Sequence, residues 1–253
     1  MLPGEDSYEE EDGTRTEISS SDPPTTDNGG GCFSRETMVD VQGKGRISMD
    51  YLAIGDKVFT HLGRYKPVYG WAHLDEQTVA DYLMVYTNAS PASPVEVTGE
   101  HLLSVKGQGF VPAKSLQVGD GLDTAGESGV SATITAIQFV QRQGLFAPLT
   151  PSGTIMVHNI SASCYINVQH DIPDSSFYVA VGGRKIISHH TLSHISLSPI
   201  RALCFGVSDK FCSHDAGSSY AWFVDLWYYG TKQFDQQGII MQVLVLLVYS
   251  VVI

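Results

Sequence analysis

Residues 52–60 read Leu-Ala-Ile-Gly-Asp-Lys-Val-Phe-Thr, and residues 116–124 read Leu-Gln-Val-Gly-Asp-Gly-Leu-Asp-Thr. The shared pattern is L-x-[IV]-G-D-x-[VL]-x-T, at an offset of 64 residues (52 to 116). A single Gly-Asp turn leading into a strand is common. Two copies, each after a short connector and before strand-like sequence, point to two related halves that form one pseudo-symmetric β unit.

The sequence around both copies agrees with that reading. Thr37–Val41 and Arg46–Ser48 flank Gly43-Lys44-Gly45, a hairpin signature. Strand-like runs follow at Lys57–Thr60, Lys66–Trp71, Tyr82–Thr87, Val95–Thr98, Leu102–Val105, Gly109–Pro112, Ala132–Phe139 and Thr154–Val157. They are short, rich in Val, Ile, Thr and Tyr, and bounded by turn residues. Long helical periodicity is missing, so residues 32–168 are expected to be all-β.

Outward from this block, the chain changes character twice. Residues 1–31 are acidic and rich in Ser, Thr, Pro and Gly, which predicts a disordered leader. Beyond residue 168, Ile200, Leu203, Cys204 and Val207 recur at helical spacing after Pro199. Trp222, Phe223, Leu226, Trp227 and Tyr229 form an aromatic cluster, also at helical spacing. Residues 239–253 are almost wholly apolar. Fifteen residues are short for a bilayer span of about twenty. They suit either a buried terminal element or a lipid contact.

Net charge is −12. Residues 1–30 hold nine acids against Arg15 alone, a net −8, so the remainder carries only −4. No basic patch is left to speak for nucleic acid. The four cysteines (Cys32, Cys164, Cys204, Cys212) make neither a CxxC pair nor a disulfide scaffold. Cys204 and Cys212 are expected as free or buried thiols. The start of the chain has no basic region followed by an apolar core, so no signal peptide is visible.

At the edge of the β block stands Gly29-Gly30-Gly31-Cys32-Phe33-Ser34. A thiol is a good nucleophile and its thioester a reactive acyl donor. Attack of Cys32 on the carbonyl of Gly31 would convert that peptide bond into a thioester. The rearrangement is uphill and needs groups that polarise the carbonyl and protonate the departing amine. Thr98-Gly99-Glu100-His101 offers a hydroxyl and an imidazole three residues apart. If an alcohol then takes the acyl group, it needs a base. Asp75, in Ala72-His73-Leu74-Asp75-Glu76, is the candidate, read as a polar interruption after a strand.

Taken together, these residues resemble a known family. Gly31-Cys32-Phe33, Leu52-x-x-Gly55-Asp56-x-Val58 and Thr98-x-x-His101-Leu102 are similar to blocks of the Hint domain of hedgehog autoprocessing proteins. Ala147-Pro148-Leu149-Thr150-x-x-Gly153-Thr154-Ile155 and Ala162-Ser163-Cys164-Tyr165 continue the likeness, and favour hedgehog over inteins. His190-x-Leu192-x-His194 with Leu197-x-Pro199-Ile200-Arg201 resembles the start of that family's sterol-recognition region.

The resemblance implies a compact, pseudo-two-fold, all-β Hint (hedgehog/intein) fold over residues 32–168. Residues 169–253 would be a smaller helical, apolar extension that recognises a sterol or other lipid. It implies cysteine-dependent autoproteolysis, once per chain and in cis. Cys32 would be the nucleophile, Thr98 and His101 would activate the Gly31–Cys32 bond, and Asp75 would activate the hydroxyl of a sterol such as cholesterol. Cys164 would be a modulating thiol near Cys32. No cofactor or metal is implied; the partners would be the sterol and, through residues 239–253, a membrane. The expected location is the secretory pathway, the extracellular space or a membrane surface. Residues 1–31 carry no likeness to a hedgehog-type signalling domain.

Three other readings compete. Val157-His158-Asn159 resembles the His-Asn end of inteins, where asparagine cyclises, but Ile160 follows in place of Cys, Ser or Thr. His190-Thr-Leu-Ser-His194 has zinc-hydrolase spacing but lacks the glutamate. A non-catalytic or hydrolysis-only module at a membrane is the third.

Overall fold

A computed structural model describes residues 30–88, 94–125, 131–166, 178–181, 184–206, 212 and 221–224. The leader up to residue 29, the apolar segment 239–253 and the aromatic residues after 224 lie outside the described residues.

The elements are β1 (Met38–Val41), β2 (Gly45–Ser48), β3 (Lys57–Phe59), β4 (Tyr65–Pro67), β5 (Gly70–Thr87), β6 (Val95–Val97), β7 (His101–Val105) and β8 (Gly109–Pro112). Then come β9 (Gly121–Asp123), β10 (Ser131–Leu149), β11 (Thr154–Val157), β12 (Ile160–Ile166), β13 (Tyr178–Val181), β14 (Arg184–Ser188), α1 (His189–Ser196) and α2 (Ser198–Gly206). Twelve described strands join in the order β4-β3-β1-β11-β12-β7-β9-β10-β5-β6, with β2 beside β1 and β8 beside β7. Every pairing is antiparallel. The all-β expectation holds.

The internal repeat is real in three dimensions. The amide of Gly55 donates to Val68 O, and that of Gly119 to Ile134 O. Asp56 O accepts from Val68 N, and Asp120 O from Ile134 N. The Asp56 carboxylate takes the Ala53 amide as the Asp120 carboxylate takes that of Gln117. Both glycines are left-handed, at φ 93° and 101°, a region that disfavours a Cβ. The match extends upstream of the sequence repeat. Gly43 and Gly45 turn β1 into β2 as Gly107 and Gly109 turn β7 into β8, all four at positive φ.

Strand length differs most from the sequence reading. Tyr82–Thr87 is only the end of β5, and Ala132–Phe139 the start of β10. The two strands pair from Thr87↔Ile134 to Gly70↔Leu149. Mid-ribbon residues such as Glu76, Gln77, Gln141 and Gln143 are exposed, so cross-strand hydrogen bonds rather than an apolar pattern fix the length. Lys66–Trp71 is not one strand: it breaks at Val68-Tyr69 between β4 and β5. Asp75 consequently lies inside β5, not after a strand.

The core fills between the halves with Phe33, Tyr82, Leu103, Leu122, Ile134, Phe146, Leu149 and Ile155, all fully buried. Each large side chain contributes about 1.5–3 kcal/mol by leaving water.

Past residue 168 the region is not purely helical. β13 and β14 pair antiparallel in a separate two-stranded sheet, from Tyr178↔Ser188 to Val181↔Arg184. α1 starts at Ser188, whose hydroxyl accepts the Thr191 amide. α2 has Pro199 in its first turn, as expected. Cys204 and Cys212 form a disulfide with Cα atoms 5.8 Å apart, which corrects the expectation of free thiols. Cys204 lies in α2 and Cys212 beyond its end.

Candidate active site

The described chain enters through Gly30 and Gly31 between the two halves. Phe33 bridges Phe146 on β10 and Val97 on β6, with Phe33 N–H donating to Phe146 O at 2.8 Å. The Tyr82 hydroxyl lies 3.2 Å from Phe33 O and also bonds Gly144 O. Behind this segment, Ser34 donates to the buried Glu96 carboxylate at 2.7 Å, and Arg142 pairs with the same carboxylate. The candidate scissile bond is thus anchored on its C-terminal side by buried hydrogen bonds.

Cys32 is fully buried. Burial, with a contribution from the nearby Asp75 charge, pushes its thiol far above the ordinary range, so the resting group is S–H. Thr98, just after β6, clasps the backbone. Its Oγ1 accepts the Cys32 amide at 2.9 Å and donates to Gly30 O at 2.9 Å. Its own amide donates to Cys32 O at 3.0 Å. The hydroxyl proton therefore goes to Gly30, not to the Gly31 carbonyl, and Thr98 orients the peptide rather than polarising it.

His101 begins β7. It is buried, and its ring lies 4.1 Å from that of Phe33, centre to centre. Burial lowers its pKa to about 4, while the backbone of Gly31 and of Ser163 pulls weakly the other way. Neither ring nitrogen reaches a partner in full hydrogen-bond geometry. A neutral imidazole with unused capacity therefore stands against the backbone of Gly31.

Asp75 lies within β5, paired with Leu145 at the edge of a β-bulge. Its carboxylate accepts the amides of Gln77 and Thr78 and, at 2.7 Å, the Thr78 hydroxyl. These bonds, led by the Thr78 hydroxyl, hold its pKa below the usual carboxylate value. It is an ionised group near Cys32, tied back to its own strand.

One neighbour escaped the sequence reading. His73 Nδ1 lies 3.2 Å from Cys32 Sγ. Residues 73 and 75 share a face of one strand, a signal visible only once β5 is known to run through both. Tyr82 and Glu96 were missed as well; nothing in their local sequence marks them.

Cys164 has separate surroundings. Its sulfur meets Thr150 Oγ1 at 3.5 Å, and burial raises its pKa to about 11. It lines a cavity of about 30 Å³ with Ala72, Leu149, Leu197 and Val224, room for no more than a water. Ala72 and His73 point to opposite faces of β5, which puts Cys164 behind the strand and Cys32 in front of it.

The helices dock on β12. Ser163 Oγ meets His190 Nδ1 at 2.9 Å, Tyr165 OH meets His194 Nδ1 at 2.7 Å, and Arg201 donates to His194 O at 2.7 Å. Among the described residues no cluster suits a metal ion, and no helix is long and apolar enough to cross a membrane. His158 and Asn159 form the two-residue turn between β11 and β12, at φ 48° and 65°. Asparagine suits that left-handed turn, which accounts for the intein-like dipeptide.

The Hint module family matches residues 20–233. The Drosophila hydei protein hedgehog is 27% identical over 198 residues, covering 74% of this chain and 37% of that protein. Warthog protein 8 of Caenorhabditis elegans is 27% identical over 164 residues, covering 58% and 30%. The chain thus spans about a third of the length of these relatives. The gp41-1 intein crystal structure overlaps 53% of this chain and 98% of that one at 16% identity and a TM-score of 0.44, too partial to carry weight. The match over most of the chain, on a doubled antiparallel β fold that buries Cys32, shows that the chain belongs to the Hint module family, as a hedgehog-type Hint domain.

Proposed function

We propose that the chain is an autoprocessing domain that cleaves itself at Gly31–Cys32. Cys32 attacks the Gly31 carbonyl, an N–S acyl shift gives a thioester, and the fragment ending at Gly31 passes to an alcohol of the sterol class or to water. The carrying observation is the grip on the scissile peptide. Thr98 holds the Cys32 amide and Gly30 O, and neutral His101 lies against Gly31. Fixing nucleophile and carbonyl in one geometry supplies much of the rate of such a step.

Asp75 is the group that takes the proton of the acceptor hydroxyl in the second step. Its ionised state and its place near Cys32 support this role, and Thr78 must release it. The acceptor is recognised by residues 169–253, including the apolar segment 239–253 at a membrane. Exposed Ile195, Phe205 and Trp222 on the helical side support an apolar partner there. The Cys204–Cys212 disulfide supports passage through an oxidising, secretory compartment.

The test places the chain behind a reporter protein. Hydroxylamine should release the reporter as a hydroxamate ending at Gly31, and Cys32→Ala should abolish release. An uncut wild-type chain sinks the reading. A labelled sterol added in place of hydroxylamine should appear on the released fragment; unlabelled release selects hydrolysis instead.

A further inference from the structure

The autoprocessing reading leaves one chemical need unmet: something must take the proton from a buried thiol. Thr98 Oγ1 is committed to the backbone on both sides. Asp75 is held by Thr78 and Gln77, and its charge opposes formation of a second anion at Cys32. His101 lies against the backbone of Gly31 and Ser163.

Resting on that reading, we infer that His73 is a catalytic residue of the N–S shift: it takes the thiol proton of Cys32 and returns it to the departing nitrogen. His73 Nδ1 stands 3.2 Å from Sγ, within hydrogen-bond range for sulfur. Both groups are buried, at 2% and 0% exposure, so bulk water does not compete for the proton. The pair is held firmly. His73 sits opposite Ala147 in the β5–β10 ladder, and Cys32 sits beside Phe33, which bridges Phe146 one position along β10.

The step balances. The S–H proton moves to Nδ1 while sulfur forms its bond to the Gly31 carbonyl carbon. When the C–N bond breaks, its electron pair stays on the Cys32 nitrogen, which takes the same proton from Nδ1. The product is a thioester and a neutral amine, with His73 regenerated and no co-reactant consumed. General bases positioned in this way contribute about 10²–10⁴-fold. Among the described residues, titratable groups beside the pair include Asp75 and Tyr82 from β5, and His101 from β7, whose ring packs on Phe33. Across the ladder, β10 presents Phe146 and Ala147, which do not titrate.

The experiment uses the full chain behind a reporter, with hydroxylamine raised until the release rate no longer depends on it, from pH 5.5 to 9. His73→Gln keeps an acceptor near the sulfur but cannot hold its proton. The expected result is a loss on the order of 10²–10³-fold at neutral pH, with rate regained as hydroxide rises. An unchanged rate in His73→Gln overturns the inference and leaves autoprocessing standing, as does a loss of the same size at every pH. An uncut wild-type chain is the distinct failure of autoprocessing itself. If the variant does not fold, the wild-type profile decides: a plateau at high pH supports an internal base, and a rate proportional to hydroxide throughout overturns it.

Discussion

The Thr98 hydroxyl lies 2.9 Å from the Cys32 amide nitrogen and 2.9 Å from Gly30 O, so one side chain grips both ends of the Gly31 unit. Thr98→Val keeps the shape and removes both bonds. It leaves the Cys32 N–H buried without a partner, which costs about 1–3 kcal/mol of stability. Urea denaturation should read that loss, and hydroxylamine release should slow at least tenfold. Thr98→Ser should restore both. A valine variant as stable and as fast as wild type would show that the grip is idle.

Asp75 is predicted to separate the two chemical steps. Its charge raises the thiol pKa of Cys32, so Asp75→Asn should leave hydroxylamine release unchanged or faster. The same variant should lose sterol attachment. Because its pKa is depressed, Asp75 stays ionised above the ordinary carboxylate range, near pH 4. Sterol attachment should therefore show no acid limb from this group between pH 5 and 8. An inflection there that vanishes in Asp75→Asn would contradict the assignment.

Acid should destabilise the fold before the carboxylates titrate. Burial lowers the pKa of His101, His158 and His190 to about 4. A histidine with a depressed folded pKa binds fewer protons folded than unfolded. Its contribution is complete above the unfolded value of about 6.5 and is lost as pH falls toward 4. For His101, which is fully buried, the loss is roughly 3 kcal/mol across that window. Urea midpoints at pH 7 and 4.5 would measure it, and His101→Gln should flatten the slope.

The two Gly-Asp turns should respond alike. A Cβ at Gly55 or Gly119 meets no atom within 4 Å, so alanine carries only the backbone penalty at φ 93° or 101°. Each substitution should cost about 1–2 kcal/mol. Denaturant unfolding should find the two losses equal within about half a kcal/mol. A large difference would mean that the halves are not structurally equivalent at these turns.

Much of the fold was legible because it depends on local chemistry. The Gly-Asp turns, the Gly-x-Gly hairpin before β2 and the short apolar runs mark most strands by turn and period alone. The span of β5 and β10 was not legible. Their middle faces water, carries Glu76, Gln77, Gln141 and Gln143, and exists because each strand supplies hydrogen bonds to the other. The β13–β14 pair was not read either, because helical spacing was the signal taken from residues 169–237.

The site divides in the same way. Sequence by itself nominated the candidates for the proposed chemistry: Cys32 after three glycines, Thr98 and His101 at one turn, Asp75 on a neighbouring run. Tertiary structure decided what each one touches. It turned Thr98 toward the backbone of Gly30 and Cys32, bound Asp75 to Thr78, placed Cys164 across β5 from Cys32, and brought His73 to the sulfur. Residue type and local spacing are properties of a short stretch of chain. Contacts such as Cys32 with His73, 41 residues apart, depend on how distant strands pair, and no local pattern records that pairing.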